Sequence, residues 1–486
     1  MNKSRATASP QRHGDTEETG ARSKGMLTQD QAGEIFGRVK RFASADEVEV
    51  LFYATGNALT RFANNVIHQN MAEENVVVSV RTAFGQRTAR ATTNKLDDES
   101  LRRVVEASEK LARVQHADED LLPMFGGNSK VADRSVRPTR YSPATAAITA
   151  EDRAATVESM VGVAKRNSLT TAGIVSSSEA VEGIFNSRGV VEWHAQTSSE
   201  ISITMLAGDS SGWQKANLPD VGQLNAVNLA EIAAEKARRS AGPREIPAGK
   251  YTVILEPAAV LDMVGFMFYD FGGLAILDQR SFLNNRVGTK VFGENIDIWD
   301  DVAHPLQSGA GFDGEGVRRQ KVQLVEKGVV KRLVYARASA EQMRRSDYKD
   351  KVGPIAATGH GFSLPNEMGE APMNIVFGAP AKPQTLEQMV ASTERGILVT
   401  RLWYIREVDP YEKILTGMTR DGTFLVENGK IQGGVLNFRF NESLIHLLSN
   451  VDAMGSLVRA SGEESFDMVV PAMKVREFNF TEVTKF

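Results

Sequence analysis

Residues 59–92 read LTRFANNVIHQNMAEENVVVSVRTAFGQRTARAT. Runs at 60–69, 75–82 and 86–92 are strand-like, separated by Ala72-Glu73-Glu74 and by Phe84-Gly85. Working outward, Val48, Val50 and Phe52 alternate as one more strand just upstream. Before that, Thr28 with Gln31 three residues on forms a capping box, and Ile35, Val39 and Phe42 mark one face of the helix it opens. Downstream, a helix is expected over 97–113, with Leu101, Val104, Val105, Ala107 and Leu111 inward and Asp97, Asp98 and Glu99 at its positive end. Consecutive strands with flanking helices indicate α+β.

Residues 117–146 are linker-like, with Gly126-Gly127 and Pro123, Pro138 and Pro143. A similar order then recurs. A helix opens at Thr149, strands run through 172–176, 181–186 and 190–206, and a helix covers 229–240, with a hairpin turn at Asn186-Ser187-Arg188-Gly189. The expected organisation is a tail at 1–26, an N-terminal α+β domain at 27–245 with antiparallel strands and flanking helices, and a β-rich C-terminal domain at 246–486. In the last, Tyr251 opens a strand, and Pro257 suits the first turn of a helix that runs to about Phe271 and ends at Gly272. Strands at 321–325, 329–334, 374–377, 396–404, 424–427, 435–440 and 473–480 follow, with few helices, chiefly at 386–391 and 442–450.

The chain has 486 residues, 24% charged, and a net charge of −4, which is no footprint for nucleic acid. It has no cysteine, so disulfides, thiol nucleophiles and thiolate metal sites are excluded. That fits a cytoplasmic protein. The apolar stretch 263–277 contains Asp270 and Gly272-Gly273 and falls short of the roughly 20 residues a membrane span requires. The first 26 residues lack the apolar segment of a secretory signal.

Two motif matches are weak. Gly208-Asp209-Ser210-Ser211-Gly212 fits a G-x-S-x-G nucleophile elbow, but no helical period follows it, so a polar turn is the better reading of Ser210. Gly309-Ala310-Gly311-Phe312-Asp313-Gly314 fits G-x-G-x-x-G without the strand and helix a dinucleotide site needs. In the same loop Asp313 and Glu315 are candidates for an acid–base pair, and a turn role suits them better. No two of the seven histidines lie within ten residues of each other, so no short paired-histidine metal motif exists.

The run Leu59-Thr60-Arg61-Phe62-Ala63-Asn64-Asn65-Val66-Ile67-His68-Gln69-Asn70 resembles the N-terminal signature of the TldD/PmbA metallopeptidase family. Val80-Arg81, Gly85-Gln86-Arg87 and Ala91-Thr92-Thr93-Asn94 continue it. Phe312-Asp313-Gly314-Glu315-Gly316, Val325-Glu326-Lys327-Gly328, Gly396-Ile397-Leu398-Val399-Thr400 and Phe424-Leu425-Val426-Glu427-Asn428-Gly429-Lys430-Ile431 extend the resemblance, so that it spans about residues 47–440. In that family, TldD-type members hold zinc with an H-E-x-x-x-H helix and a cysteine near the C-terminus. TldE/PmbA-type members lack the ligands and pair with a TldD-type chain. Here Leu261 and Phe266 stand where the histidines would be, and Asp262 replaces the glutamate. Neither apolar side chain has a lone pair for zinc, which needs about three protein ligands in a hydrolytic site.

The resemblance therefore implies a metal-free, non-catalytic subunit, with zinc in a TldD-like partner and unstructured peptide as the substrate of the complex. Leu261 and Phe266 are expected to fill with apolar volume the space a metal would take. A homodimer is also compatible with the sequence, as is a protein-binding regulator with no protease role, since relatives carry the label of gyrase modulators. An enzyme using Ser210 or the Asp313/Glu315 pair is the third alternative.

Overall fold

The structure, a computed structural model, describes residues 26–126 and 140–484. The tail expected at 1–26 lies outside this range except for Met26, which is buried in the first core. Residues 127–139 of the linker-like stretch lie outside it too.

Helix α1 (Gln29–Phe42) is closed by the Thr28/Gln31 capping box. Strands β1 (Glu47–Ala63), β2 (Val66–Phe84) and β3 (Arg87–Thr93) follow as an antiparallel meander. The strand expected at 60–69 is in fact the end of one strand and the start of the next. Asn64 and Asn65 both take left-handed conformations (φ 51° and 63°), giving a two-residue turn whose twist matches that of the paired strands. Ala72-Glu73-Glu74, expected as a break, lies inside β2. Helix α2 (Asp98–Val114) buries Leu101, Val104, Val105, Ser108 and Ala112, whereas Ala107 and Leu111, expected inward, are exposed.

A short α3 (Pro143–Ala146) leads to α4 (Ala150–Arg166), β4 (Thr170–Asn186), β5 (Val191–Ala207), β6 (Ser210–Leu218) and α5 (Ala226–Arg239). The runs 172–176 and 181–186 are thus one strand. All six strands form one sheet in the order β3-β2-β1-β4-β5-β6. One core joins it to α1 and α2, another to α4 and α5.

The C-terminal part begins with β7 (Gly249–Leu255) and α6 (Pro257–Val264), whose N1 proline needs no donor partner. The helix expected to reach Phe271 changes to a 3₁₀ turn at Gly265–Phe271. Next come α7 (Gly273–Leu277), β8 (Ile298–Asp300), β9 (Val322–Glu326), β10 (Val329–Val330), α8 (Arg337–Arg345), β11 (Ile375–Phe377) and α9 (Leu386–Ala391). Strand β10 is shorter than the expected 329–334, and α8 was not anticipated. The chain continues as β12 (Arg395–Asp409), β13 (Ile414–Glu427), β14 (Lys430–Gly434), β15 (Phe438–Ser443), α10 (Leu444–Ser449), β16 (Val451–Met454), β17 (Val458–Ala460), β18 (Met468–Val470) and β19 (Met473–Val483).

Strands β12, β7, β19, β15 and β13 pair in that order, and β13 pairs back with β12, so the five form a closed barrel. A second sheet runs β10-β9-β8-β11-β18-β17. The largest core joins barrel strands, the second sheet and α6.

The linker-like stretch is tethered at both of its described ends. Buried Arg140 donates to the carbonyls of Val302, His304 and Pro305 (2.8–3.1 Å). Arg337 donates to the Pro123 carbonyl, and Gln342 to Asp120. No described helix is long and apolar enough to cross a membrane.

Candidate functional site

Helix α6 lies against β12, and on its other flank the segment Ala460–Phe466 runs past it. Leu261 and Asp262 are fully buried. The Asp262 Oδ1 accepts the main-chain N–H groups of Glu463 (3.3 Å) and Glu464 (3.2 Å), while Oδ2 makes no close hydrogen bond. Burial pushes this carboxyl up to about 7, against the opposing pull of those amides. A β-carbon at Gly462 would collide with the Asp262 carboxylate and with Leu261, and one at Gly265 would collide with Ser465. Glycine at both positions is what lets the segment lie so close to the helix, and the 3₁₀ turn begins at the second of them.

Phe266 does not sit in the core as Leu261 does. It is half-buried and lines a cleft of about 480 Å³ together with Tyr269, Asp270, Lys413, Glu464 and Phe466. Deep in this cleft the buried Lys413 ammonium lies 2.6 Å from both Asp270 and Glu407. Glu464 accepts the main-chain N–H groups of Tyr404 (2.7 Å) and Ile405 (3.3 Å).

The N-terminal sheet reaches this place through β6. Lys215 donates to the Gly462 carbonyl (3.0 Å) and lies 3.4 and 3.5 Å from Glu200 and Glu463. Nearby Arg459 binds the carbonyls of Asn217 and Leu306, the Ser308 hydroxyl and the Asp467 carboxylate. The segment that covers α6 is therefore clasped from both sides.

The other sequence candidates lie apart. Ser210 opens β6, in a strand-to-strand hairpin rather than a strand-to-helix elbow, and its hydroxyl donates to the Ala237 carbonyl (2.8 Å). Asp313 accepts the amides of Glu315 and Val317 (2.9 Å each) and of Gly361 (2.8 Å). Burial first, and the Glu315 charge second, push it up to about 7. Glu315 takes the amide and guanidinium of Arg337, and burial also raises it. These carboxyls staple loop 309–321 to its neighbours.

Three family descriptions match the chain: PmbA/TldA metallopeptidase domain 1 at residues 48–112, the central domain at 143–241 and the C-terminal domain at 248–482. The chain belongs to the PmbA/TldD metallopeptidase family. It is 22% identical over 410 residues to Metalloprotease PmbA of Escherichia coli O157:H7, covering 80% of this chain and 83% of that one. It is 28% identical over 205 residues to an uncharacterized protein of Methanocaldococcus jannaschii, 41% of this chain and 46% of that protein's length. Its fold superposes on the crystal structure of TldE from Thermococcus kodakarensis with a TM-score of 0.78 at 17% identity, over 93% of this chain and all of that one.

The residues present around α6 do not fit the metal ion that the family's name implies. Leucine and phenylalanine offer no donor atom, and the orphaned oxygen among these three residues, Asp262 Oδ2, is a third of a hydrolytic ligand set. Among the described residues no group of three or more His, Asp or Glu side chains is placed to hold a metal ion. Within this PmbA/TldD member, the resemblance pointed to Leu261, Asp262 and Phe266, of which the first two lie on α6 and Phe266 on the 3₁₀ turn that follows it. It missed Lys215, Arg459 and the Gly462–Glu464 cover. Gly462 within Ser461-Gly462-Glu463-Glu464 was a visible turn signal, but nothing local ties Lys215 to that segment across some 250 residues.

Proposed function

We propose that this chain is the metal-free subunit of a two-component metallopeptidase. A zinc-bearing TldD-like chain supplies the chemistry, and this one helps bind and enclose unstructured peptide. The observation that carries the proposal is the state of α6. At the position where the family places its ligands, α6 presents a buried leucine and a carboxyl tied to main-chain amides, the 3₁₀ turn after it turns a phenylalanine to a cleft, and the 460–466 segment lies closely over the helix. Family membership and the TldE-like fold support the same reading.

The test is co-expression of the tagged chain with an H-E-x-x-x-H relative from the same genome. We expect a stable complex with about one zinc, all of it lost when the partner's histidines are replaced, and cleavage of an unfolded peptide by the complex but by neither chain alone. Zinc retained by this chain alone, or cleavage by it alone, overturns the proposal.

A further inference from the structure

Where the two parts of the chain meet away from α6, a pocket of about 360 Å³ opens between the start of α3, the end of β6 and residues 305–306. Cavities that hold small ligands begin at about this size. Pro143, Leu218, Pro219 and Leu306 give it apolar walls, and Arg140, Arg459 and Asp220 give it charge.

Those charges are unevenly paired. Arg459 meets the Asp467 carboxylate at 2.8 Å. Arg140 is only 6% exposed, yet its guanidinium donates to the carbonyls of Val302, His304 and Pro305, which carry no net charge. Among the described residues no carboxylate lies within ion-pair distance of it. Asp301, whose charge it feels, is taken by Lys321 at 2.9 Å. Burial first, and the Arg459 charge second, hold Arg140 below the usual arginine range. N–H donors on its Nε and Nη1 are left for a further acceptor. Asp220 is the converse case. Its Oδ1 accepts the Ser142 hydroxyl (3.1 Å) and the Gly222 amide (3.0 Å), while Oδ2 has no partner among the described residues. A desolvated charge without a counter-ion is costly, and here two of opposite sign line one pocket without reaching each other.

We propose that this pocket binds a small zwitterion with an apolar body, a free amino acid or a dipeptide, with its carboxylate on Arg140 and its ammonium on Asp220. The carboxylate separates the Arg140 and Arg459 charges, and the ammonium supplies what Oδ2 lacks. The apolar walls take the side chain. The site shares no residue with the Phe266 cleft and stands independently of the function proposed above.

Calorimetric titration of the full chain with leucine, leucyl-leucine, N-acetyl-leucine, leucinamide and inorganic phosphate tests the proposal. At least one zwitterion should bind below about 10 mM, at least about tenfold more tightly than the N-acetyl and amide forms, each of which lacks one charge. The tighter of leucine and leucyl-leucine distinguishes the free amino acid from the dipeptide. Asp220→Asn should weaken the zwitterion about tenfold and leave N-acetyl-leucine unchanged, and Arg140→Gln should weaken both. If Arg140→Gln folds poorly, hydrogen exchange on the parent chain takes its place, with amides in 140–146 and 218–223 protected by the zwitterion. No binding of either zwitterion by about 10 mM, equal binding of the N-acetyl form or of phosphate, an Asp220→Asn variant that binds as the parent does, or protection confined to other segments would each overturn it.

Discussion

Asp262 is a carboxylic acid placed where ionisation is expensive. Its folded value of about 7 lies above the ordinary carboxylate range, so the folded state holds the proton more tightly than the unfolded chain does. The sign follows directly. Below about pH 4 both states are protonated and the group contributes nothing; from there to about 7 stability falls as pH rises, and above 7 the full cost is present. Asp262→Asn, which keeps an acceptor for the Glu463 and Glu464 amides, should flatten that fall. It should raise stability at pH 8 by roughly 1–3 kcal/mol while changing little at pH 4. Denaturant midpoints at the two pH values measure it, and a variant weaker than the parent at pH 8 would show that the carboxylate is held by a favourable charge after all. The triple change Leu261→His, Asp262→Glu and Phe266→His tests how much of a metal site is left. It places imidazole in a fully buried position, so a loss of about 2–5 kcal/mol is expected. The isolated chain should still cleave no unfolded peptide with added zinc, because a third ligand is missing and the 460–466 segment occupies the approach. The sequence made this site partly legible: the resemblance to the family's H-E-x-x-x-H helix pointed to Leu261, Asp262 and Phe266. The cover over them depends on two glycines meeting a helix, and no local pattern encodes such a meeting.

At the level of elements, α5 fits tightly on β6. A β-carbon at Gly212 would collide with the Ala233 carbonyl and the Ala237 amide, both helix backbone, and α5 is built of Ala230, Ala233, Ala234 and Ala237 on the face that meets the strand. Gly212→Ala must push the helix off the sheet and should cost about 3 kcal/mol or more, seen as a lowered unfolding midpoint. Ser210→Ala, two residues away, gives up only the bond to the Ala237 carbonyl and should cost about 1 kcal/mol. If Ser210→Ala were the more damaging of the two, the hydroxyl would have a part beyond the hairpin. Helices were read well from sequence where caps marked them, as at Thr28, Thr149 and Thr385, each of which closes a capping box. Strands β1, β2 and β4 were read as fragments, whereas β5 was read whole. A two-residue Asn64-Asn65 turn hides inside an unbroken run of strand formers, while Ala72-Glu73-Glu74 looks like a break and is only a solvated stretch of edge. Helix α8 has no side-chain cap, which leaves little to announce it.

Across the whole molecule, the two parts of the chain are locked by side chains that reach from one to the other and end on main-chain carbonyls. Arg459 is the most committed of them: it is almost wholly buried, with four partners drawn from β6, loop 306–308 and Asp467. Arg459→Ala leaves those acceptors unpaired and should destabilise the chain by roughly 2–4 kcal/mol. It should also open loop 302–308 to limited proteolysis, since Arg140 holds the same loop from the other side. An unchanged cleavage pattern would mean that Arg140 alone suffices to hold it.

The barrel also carries a consequence for how the protein is made. Strand β7, the first of the ring, and β19, the last of the ring, are neighbours, and β19 also pairs with β15. During translation the six strands of the N-terminal sheet are all available before β7 is synthesised, whereas the ring cannot shut until its final strand has left the ribosome. Until then β7 and β15 each wait with one bare flank, the circumstance in which nascent chains call on chaperones. A premature stop codon a few residues into β19 would therefore yield a barrel with an open seam, and quality-control proteases would be expected to clear it.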